Sequence, residues 1–161
     1  MIRLMRWISL LGWLALCFTV AGISGRWTAK EIPAWYRTLR RPAIAPPNWI
    51  FGPVWSLLYA LMAIAAWLVS QTPSSRARSL ALALFLLQLA LNFAWSWIFF
   101  HLHRMGLALL ENLALWATIV ACICAFVPLS HIAAWLLVPY IAWVSFALLL
   151  NFEFWRNNKK D

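Results

Sequence analysis

Apolar residues do not alternate with polar ones along this chain; they run continuously through 5–24, 47–70, 79–100, 105–127 and 132–155, with short polar breaks between. Each run has about 20 residues or slightly more, the length a helix rising 1.5 Å per residue needs to cross roughly 30 Å of hydrocarbon. Strands of a membrane barrel would instead alternate over segments of roughly ten residues. The pattern predicts an all-α integral membrane protein, a bundle of five transmembrane helices forming one domain over 1–161. The connections 71–78, 101–104 and 128–131 are short, which suits up-and-down packing. The first connection, 25–46, is long, carries Trp27, Trp35 and Tyr36, and leads into the second helix through Pro42, Pro46 and Pro47. Prolines oppose helix and stiffen the chain, so this loop is expected to be an ordered lid rather than a linker.

Composition agrees with the pattern. A chain of 161 residues with 65% hydrophobic residues, a mean hydropathy of +0.81 and four acidic side chains lacks the charged surface of a soluble domain. Arg3 and Arg6 precede the first run as they would in a leader, but the run continues past Cys17 to Ile23, and Leu16 is too bulky for a cleavage position. We read it as a span. Cys17, Cys122 and Cys124 all fall inside predicted spans, so neither a disulfide framework nor a metal site is indicated.

Charge then bears on orientation. The side holding the N-terminus has Arg3, Arg6, Arg76 and Arg78; the other has Arg26, Lys30, Arg37, Arg40, Arg41, Arg104, Arg156, Lys159 and Lys160. Nine against four places loop one and the C-terminus in the cytoplasm. The net charge of +9 thus reads as topology and attraction to anionic headgroups, with no nucleic-acid partner expected.

Polar residues inside the runs carry the chemistry. Gln88, Asn92, Trp95 and Ser96 recur at the spacing of one helical face, as do Tyr140, Trp143, Ala147 and Asn151; Trp55 and Tyr59 lie four apart. All fall mostly in the half of the bilayer beneath loop one, whereas the other half is mainly Leu, Ala, Ile and Val. Trp7, Trp27, Trp49, Trp135 and Trp155 suit an interfacial belt, but Trp55 and Trp143 are too deep for one. Asn92 and Gln88 could equally be interhelical glue. Glu111 and Glu153 should face the bundle or pair with Arg104 or Arg156. His101 and His103 flank a turn at the surface as solvated residues, and Pro139 should kink the fifth span beside Tyr140. Indole and phenol faces beneath a basic lid suit a flat, lipophilic molecule bearing an acid, and a porphyrin has that shape.

Three stretches then carry a family likeness: WYRTLRRPAIAPPNWIFGPVWSLLYALM (35–62), QLALNFAWSWIFF (88–100) and VPYIAWVSFALLLNFEFW (138–155). They resemble the TspO/translocator protein family, the tryptophan-rich sensory proteins or peripheral-type benzodiazepine receptors, from about residue 20 to the end. The resemblance implies a five-helix membrane receptor or carrier, commonly a homodimer, that binds protoporphyrin IX-like tetrapyrroles and lipophilic aromatic drugs in a pocket closed by loop one. It needs no obligatory cofactor. By matching positions, Trp55, Asn92, Trp95, Trp143 and Ala147 would line that pocket with Trp35, Tyr36 and Pro47 of the lid region, and the spacing adds Tyr59 and Tyr140. Sterol-binding members carry a tyrosine near the end of helix five, where this chain reads LLNFEFWR (149–156). That departure points to a bacterial-type member, in a bacterial cell membrane, and puts sterol affinity in doubt. Some bacterial relatives are associated with light- and oxygen-dependent porphyrin breakdown, for which the matching deep tryptophans are Trp55 and Trp143; no acid–base pair or nucleophile supports ordinary catalysis. Ala83, Ala90 and Ala94 form a small-residue stripe on run three where a dimer could close.

Overall fold

A computed structural model describes residues 2–159, with side chains from residue 4 onward. The Arg3 side chain and Lys160, both counted above in the charge balance, lie outside the described residues, as do Met1 and Asp161. The described residues form helices joined by turns and loops, with no strand among them: α1 (Ile2–Glu31), α2 (Phe51–Ser70), α3 (Arg76–Ser96), α4 (Met105–Phe126), α5 (His131–Leu136) and α6 (Val138–Asn158). Five segments of 22–28 residues are long and apolar enough to cross a membrane, with α5 and α6 together making the fifth.

The ends follow local chemistry. Helix α1 runs seven residues beyond the expected boundary, so 25–31 is helix and the lid begins at 32. The charges at Arg26 and Lys30 mark the edge of the membrane, not of the helix, and no proline opposes helix until Pro33. Ser75 caps α3, its hydroxyl accepting from the Arg78 N–H at 3.1 Å, which starts that helix at Arg76 rather than 79. The Arg78 guanidinium donates to the Thr72 carbonyl at 2.7 Å and to Ser74 Oγ at 3.0 Å, bracing the turn from α2. Pro139, in the first turn of α6, cannot continue a helix ladder from α5, and the fifth span breaks at Leu137.

Helix α1 packs on α2 and α3, α3 on α4, α4 on α6, and α2 on α5. Ala63, Ala65, Ala66, Ala81 and Ala108 are fully buried, letting backbones approach closely. One apolar cluster, including Met62, Phe85, Ile119 and Phe126, fills the bundle. A second, built on Tyr36, Phe99, Phe100, Leu150 and Phe154, lies under loop one. Phe99 and Phe100 can both turn inward because α3 ends in a wide π turn, Trp97–His101, in which the Leu102 N–H donates to the Trp97 carbonyl at 3.0 Å.

Candidate functional site

Where the two clusters meet, the bundle leaves a cavity of about 320 Å³. Its floor is polar and internally bonded. The Tyr59 hydroxyl donates to Asn92 Oδ1 at 2.5 Å, Asn92 Nδ2 donates to the Tyr140 hydroxyl at 3.1 Å, and that hydroxyl donates to Gln88 Oε1 at 2.9 Å. All four side chains are buried, so each bond replaces one that water cannot supply. The helical spacings in α2, α3 and α6 bring the chain together: Asn92 sits one turn from Gln88, and Tyr59 and Tyr140 reach it from the flanking helices.

The walls are aromatic. Trp95 stacks on Phe99, ring centroids 5.3 Å apart, and its indole N–H donates to Asn151 Oδ1 at 3.1 Å. Asn151 Nδ2 in turn donates to the Met105 carbonyl at 2.9 Å, so the start of α4 fixes the Trp95 ring. Trp143 meets Phe51 edge-on at 6.0 Å, and Trp55 leans on Tyr59 at 5.7 Å. Two further polar atoms bordering the cavity, Ser24 Oγ and Asn48 Oδ1, are buried and have no hydrogen-bond partner among the described residues.

Tyr36 is the roof. It follows Trp35 into a short 3₁₀ turn and is 5% exposed, its ring 5.0 Å from Phe154. Two clips hold the lid down. Asn158 accepts from the Arg40 N–H at 2.8 Å and donates to the Arg40 carbonyl at 3.2 Å. His103, in a left-handed conformation at φ 55°, stacks on Trp35 at 4.2 Å and places Nε2 3.1 Å from Glu31 Oε2. Burial pushes the Tyr36 hydroxyl above its ordinary pKa of 10.0, partly offset by the Arg41 guanidinium. The folded lid thus holds this proton more tightly than the unfolded chain does. Its contribution is complete below about pH 10 and is lost as pH rises through the raised value. Thermal unfolding followed from neutral to strongly alkaline pH should show stability falling in that window, and Tyr36→Phe should remove this part of the fall.

Of the ten residues expected to line the pocket, Tyr36, Trp55, Tyr59, Asn92, Trp95, Trp143 and Ala147 border the cavity. Trp35, Pro47 and Tyr140 do not. Trp35 is instead engaged by His103, stacked on it at 4.2 Å, and by Phe99 at 5.6 Å. Pro47 is exposed and turns the chain, leaving its neighbour Asn48 to border the cavity. Tyr140 is fully buried behind Asn92, one layer back. Glu153 pairs with Arg156 at 2.6 Å, while Glu111 takes the other arrangement expected of these two, its carboxyl oxygens buried in the bundle and without a hydrogen-bond partner among the described residues. His103 is not simply solvated, being engaged in the lid clip.

Sequence reasoning missed the wall supplied by α1: Ala21, Ser24, Gly25, Thr28 and Ala29. The signal was there, since Ala21, Gly25 and Ala29 repeat every fourth residue as small side chains on one face. It also missed Phe99, Phe100, Leu150 and Phe154, apolar residues in apolar helices that nothing sets apart. Among the described residues no cluster of three His, Cys, Asp or Glu side chains could hold a metal ion. The arrangement can enclose a flat apolar body, stack it on indoles and offer it a few polar atoms.

A family model described as TspO/MBR family matches residues 13–156. The Rhodobacter capsulatus protein named Protein CrtK is 38% identical over 146 residues, covering 89% of this chain and 91% of its own. A tryptophan-rich sensory protein of Cereibacter sphaeroides is 38% identical over 154 residues, 96% of this chain and 94% of its own, and the translocator protein of Homo sapiens is 35% identical over 151 residues, 89% of each. With five membrane-length helices, a roofed aromatic cavity in one half of the bundle and this likeness along nearly its whole length, the chain is an integral membrane protein of the TspO/MBR family.

Proposed function

We propose that the protein is a membrane receptor or carrier that takes a porphyrin-like tetrapyrrole, or a related lipophilic aromatic molecule, into the cavity beneath loop one. The cavity itself carries the reading: about 320 Å³ bordered by Trp55, Trp95 and Trp143, with Ser24 Oγ and Asn48 Oδ1 left for a polar group of the guest. At the low end of the usual range for ligand pockets, roughly 300–1,000 Å³, such a volume suits the flat body of the guest with its periphery projecting out. Exposed Arg37, Arg40 and Arg41 on the lid would meet carboxylates there, on the side that the charge balance assigns to the cytoplasm. The names of the relatives, a sensory protein and a translocator, agree with sensing or carrying. Pairing of two copies through Ala83, Ala90 and Ala94, the first two exposed, belongs to the same proposal.

The test is a dark titration of the reconstituted protein with protoporphyrin IX, read by quenching of tryptophan fluorescence. Saturable quenching at one porphyrin per chain supports the reading, and purely linear quenching refutes it. A second reading, in which bound porphyrin is broken down with light and dioxygen, is favoured by one feature: Trp55 and Trp143 both border the cavity, where a guest would touch oxidisable indoles. Illumination of the same mixture separates the two. Breakdown would yield an open-chain pigment that Trp55→Phe and Trp143→Phe prevent, while binding alone would leave bleaching at the rate of free porphyrin.

A further inference from the structure

We propose that the ligand reaches the cavity sideways from the lipid, through a portal between α1 and α2 rimmed by Gly25, Ala29, Gly52 and Ser56. This rests on the reading of the cavity as a ligand site. The residues that border the cavity from α3, its π turn, α6 and loop one are all buried or half-buried. The exposed ones are Gly25, Ala29, Gly52 and Ser56, two on each of α1 and α2. The open side of the cavity is therefore the seam between these two helices.

The rim is built to stay open. Two of its four positions have no side chain, and a Cβ added at Gly25 or Gly52 meets nothing within 4 Å. Ser56 turns its hydroxyl back onto the Gly52 carbonyl at 2.9 Å, so the rim presents no unpaired hydroxyl to hydrocarbon. Helix α1 is also the least buried wall: 11% of its most apolar stretch is buried, against 28–39% in the other spans. The roof, by contrast, is shut. Tyr36 packs on Phe154, and the lid is clipped at Arg40 by Asn158 and at Trp35 by His103.

Depth makes the seam useful. Gly25 and Ala29 precede the end of α1 by six and two residues, or about 9 and 3 Å, and Gly52 and Ser56 lie in the first two turns of α2. The portal thus opens near the boundary between headgroups and acyl chains. Arg26 and Lys30, both exposed, each follow a rim residue along α1 and supply cations at that level. A planar amphiphile lying with its ring in the acyl region and its acids among the headgroups would be aligned with the seam and could slide in without leaving the bilayer. In α1 the four-residue repeat of small side chains then serves as a doorway instead of a helix-packing face.

Stopped-flow quenching by protoporphyrin IX, on full-length protein in phosphatidylcholine vesicles, tests this. Gly25→Leu and Gly52→Leu are expected to slow both association and dissociation by about tenfold. Gly12→Leu, on α1 away from the cavity and equally free of neighbours within 4 Å, should leave both rates unchanged. Releasing the lid with Asn158→Ala or His103→Ala should not accelerate association. If a leucine variant does not fold, the milder Gly25→Ala/Gly52→Ala pair should still slow both rates in the same proportion. Saturable quenching at unchanged rates in the glycine variants, or faster association in the lid variants, overturns the portal while leaving the binding site standing. Absence of saturable quenching in the unmodified protein overturns the binding reading and the portal with it.

Discussion

Replacing Asn92 with alanine is expected to lower the stability of the bundle by about 1–3 kcal/mol and to weaken porphyrin binding together with it. Asn92 is 2% exposed and holds both the Tyr59 and the Tyr140 hydroxyls. Its loss leaves the Tyr59 hydroxyl without its acceptor at a position 3% exposed. Hydrogen bonds between membrane helices average only about 0.6 kcal/mol, so the stranded donor, not the lost attraction, dominates the cost. That reasoning has a checkable consequence. Combining Asn92→Leu with Tyr59→Phe removes donor and acceptor together and should recover much of the stability in thermal unfolding, but not the affinity, because the polar floor would be gone. Recovery of both would mean that Asn92 acts only as glue.

Trp143→Ala should have the largest effect on binding itself, weakening porphyrin affinity by about tenfold to a hundredfold, or roughly 1.4–2.8 kcal/mol. The indole borders the cavity on one side and meets Phe51 and Phe146 on the other, at 6.0 and 5.5 Å. Truncation removes a stacking face and widens a cavity whose small volume is part of its fit. Because one side of the ring already faces open space, the loss in thermal stability should be smaller than for a tryptophan in a closed core. Trp143→Phe keeps an aromatic face and should fall between the alanine variant and the unmodified protein in the same titration.

How far the sequence disclosed these features depended on contrast. The five spans were legible because the thickness of hydrocarbon dictates their length, and Asn92, Trp95 and Trp143 were legible because polar and aromatic residues at helical spacing stand out against Leu and Ala; Ala147 was assigned to the pocket only by the family resemblance. The end of α1 was not, since charges announce the end of the membrane while the backbone ladder continues to Glu31. Nor was the face of Tyr140: the spacing put it beside Trp143, but its hydroxyl reaches behind Asn92 to Gln88. The α1 wall left a signal, the four-residue repeat of Ala21, Gly25 and Ala29, but small residues on a membrane helix usually mark close packing, and the geometry of the cavity is what shows that here they leave space. For Glu111 the cost of a carboxyl in hydrocarbon left two arrangements open, facing the bundle or pairing with a cation, and residue order alone does not disclose that its oxygens are buried without a hydrogen-bond partner among the described residues.

The most direct test of the binding claim is the stoichiometry and affinity of protoporphyrin IX measured in the dark, side by side, for the unmodified protein, Asn92→Ala and Trp143→Ala in the same lipid. Saturation at one porphyrin per chain, with both variants folded and both clearly weaker, is the expected result. Identical saturation curves for all three proteins would place the pigment somewhere other than the cavity beneath loop one.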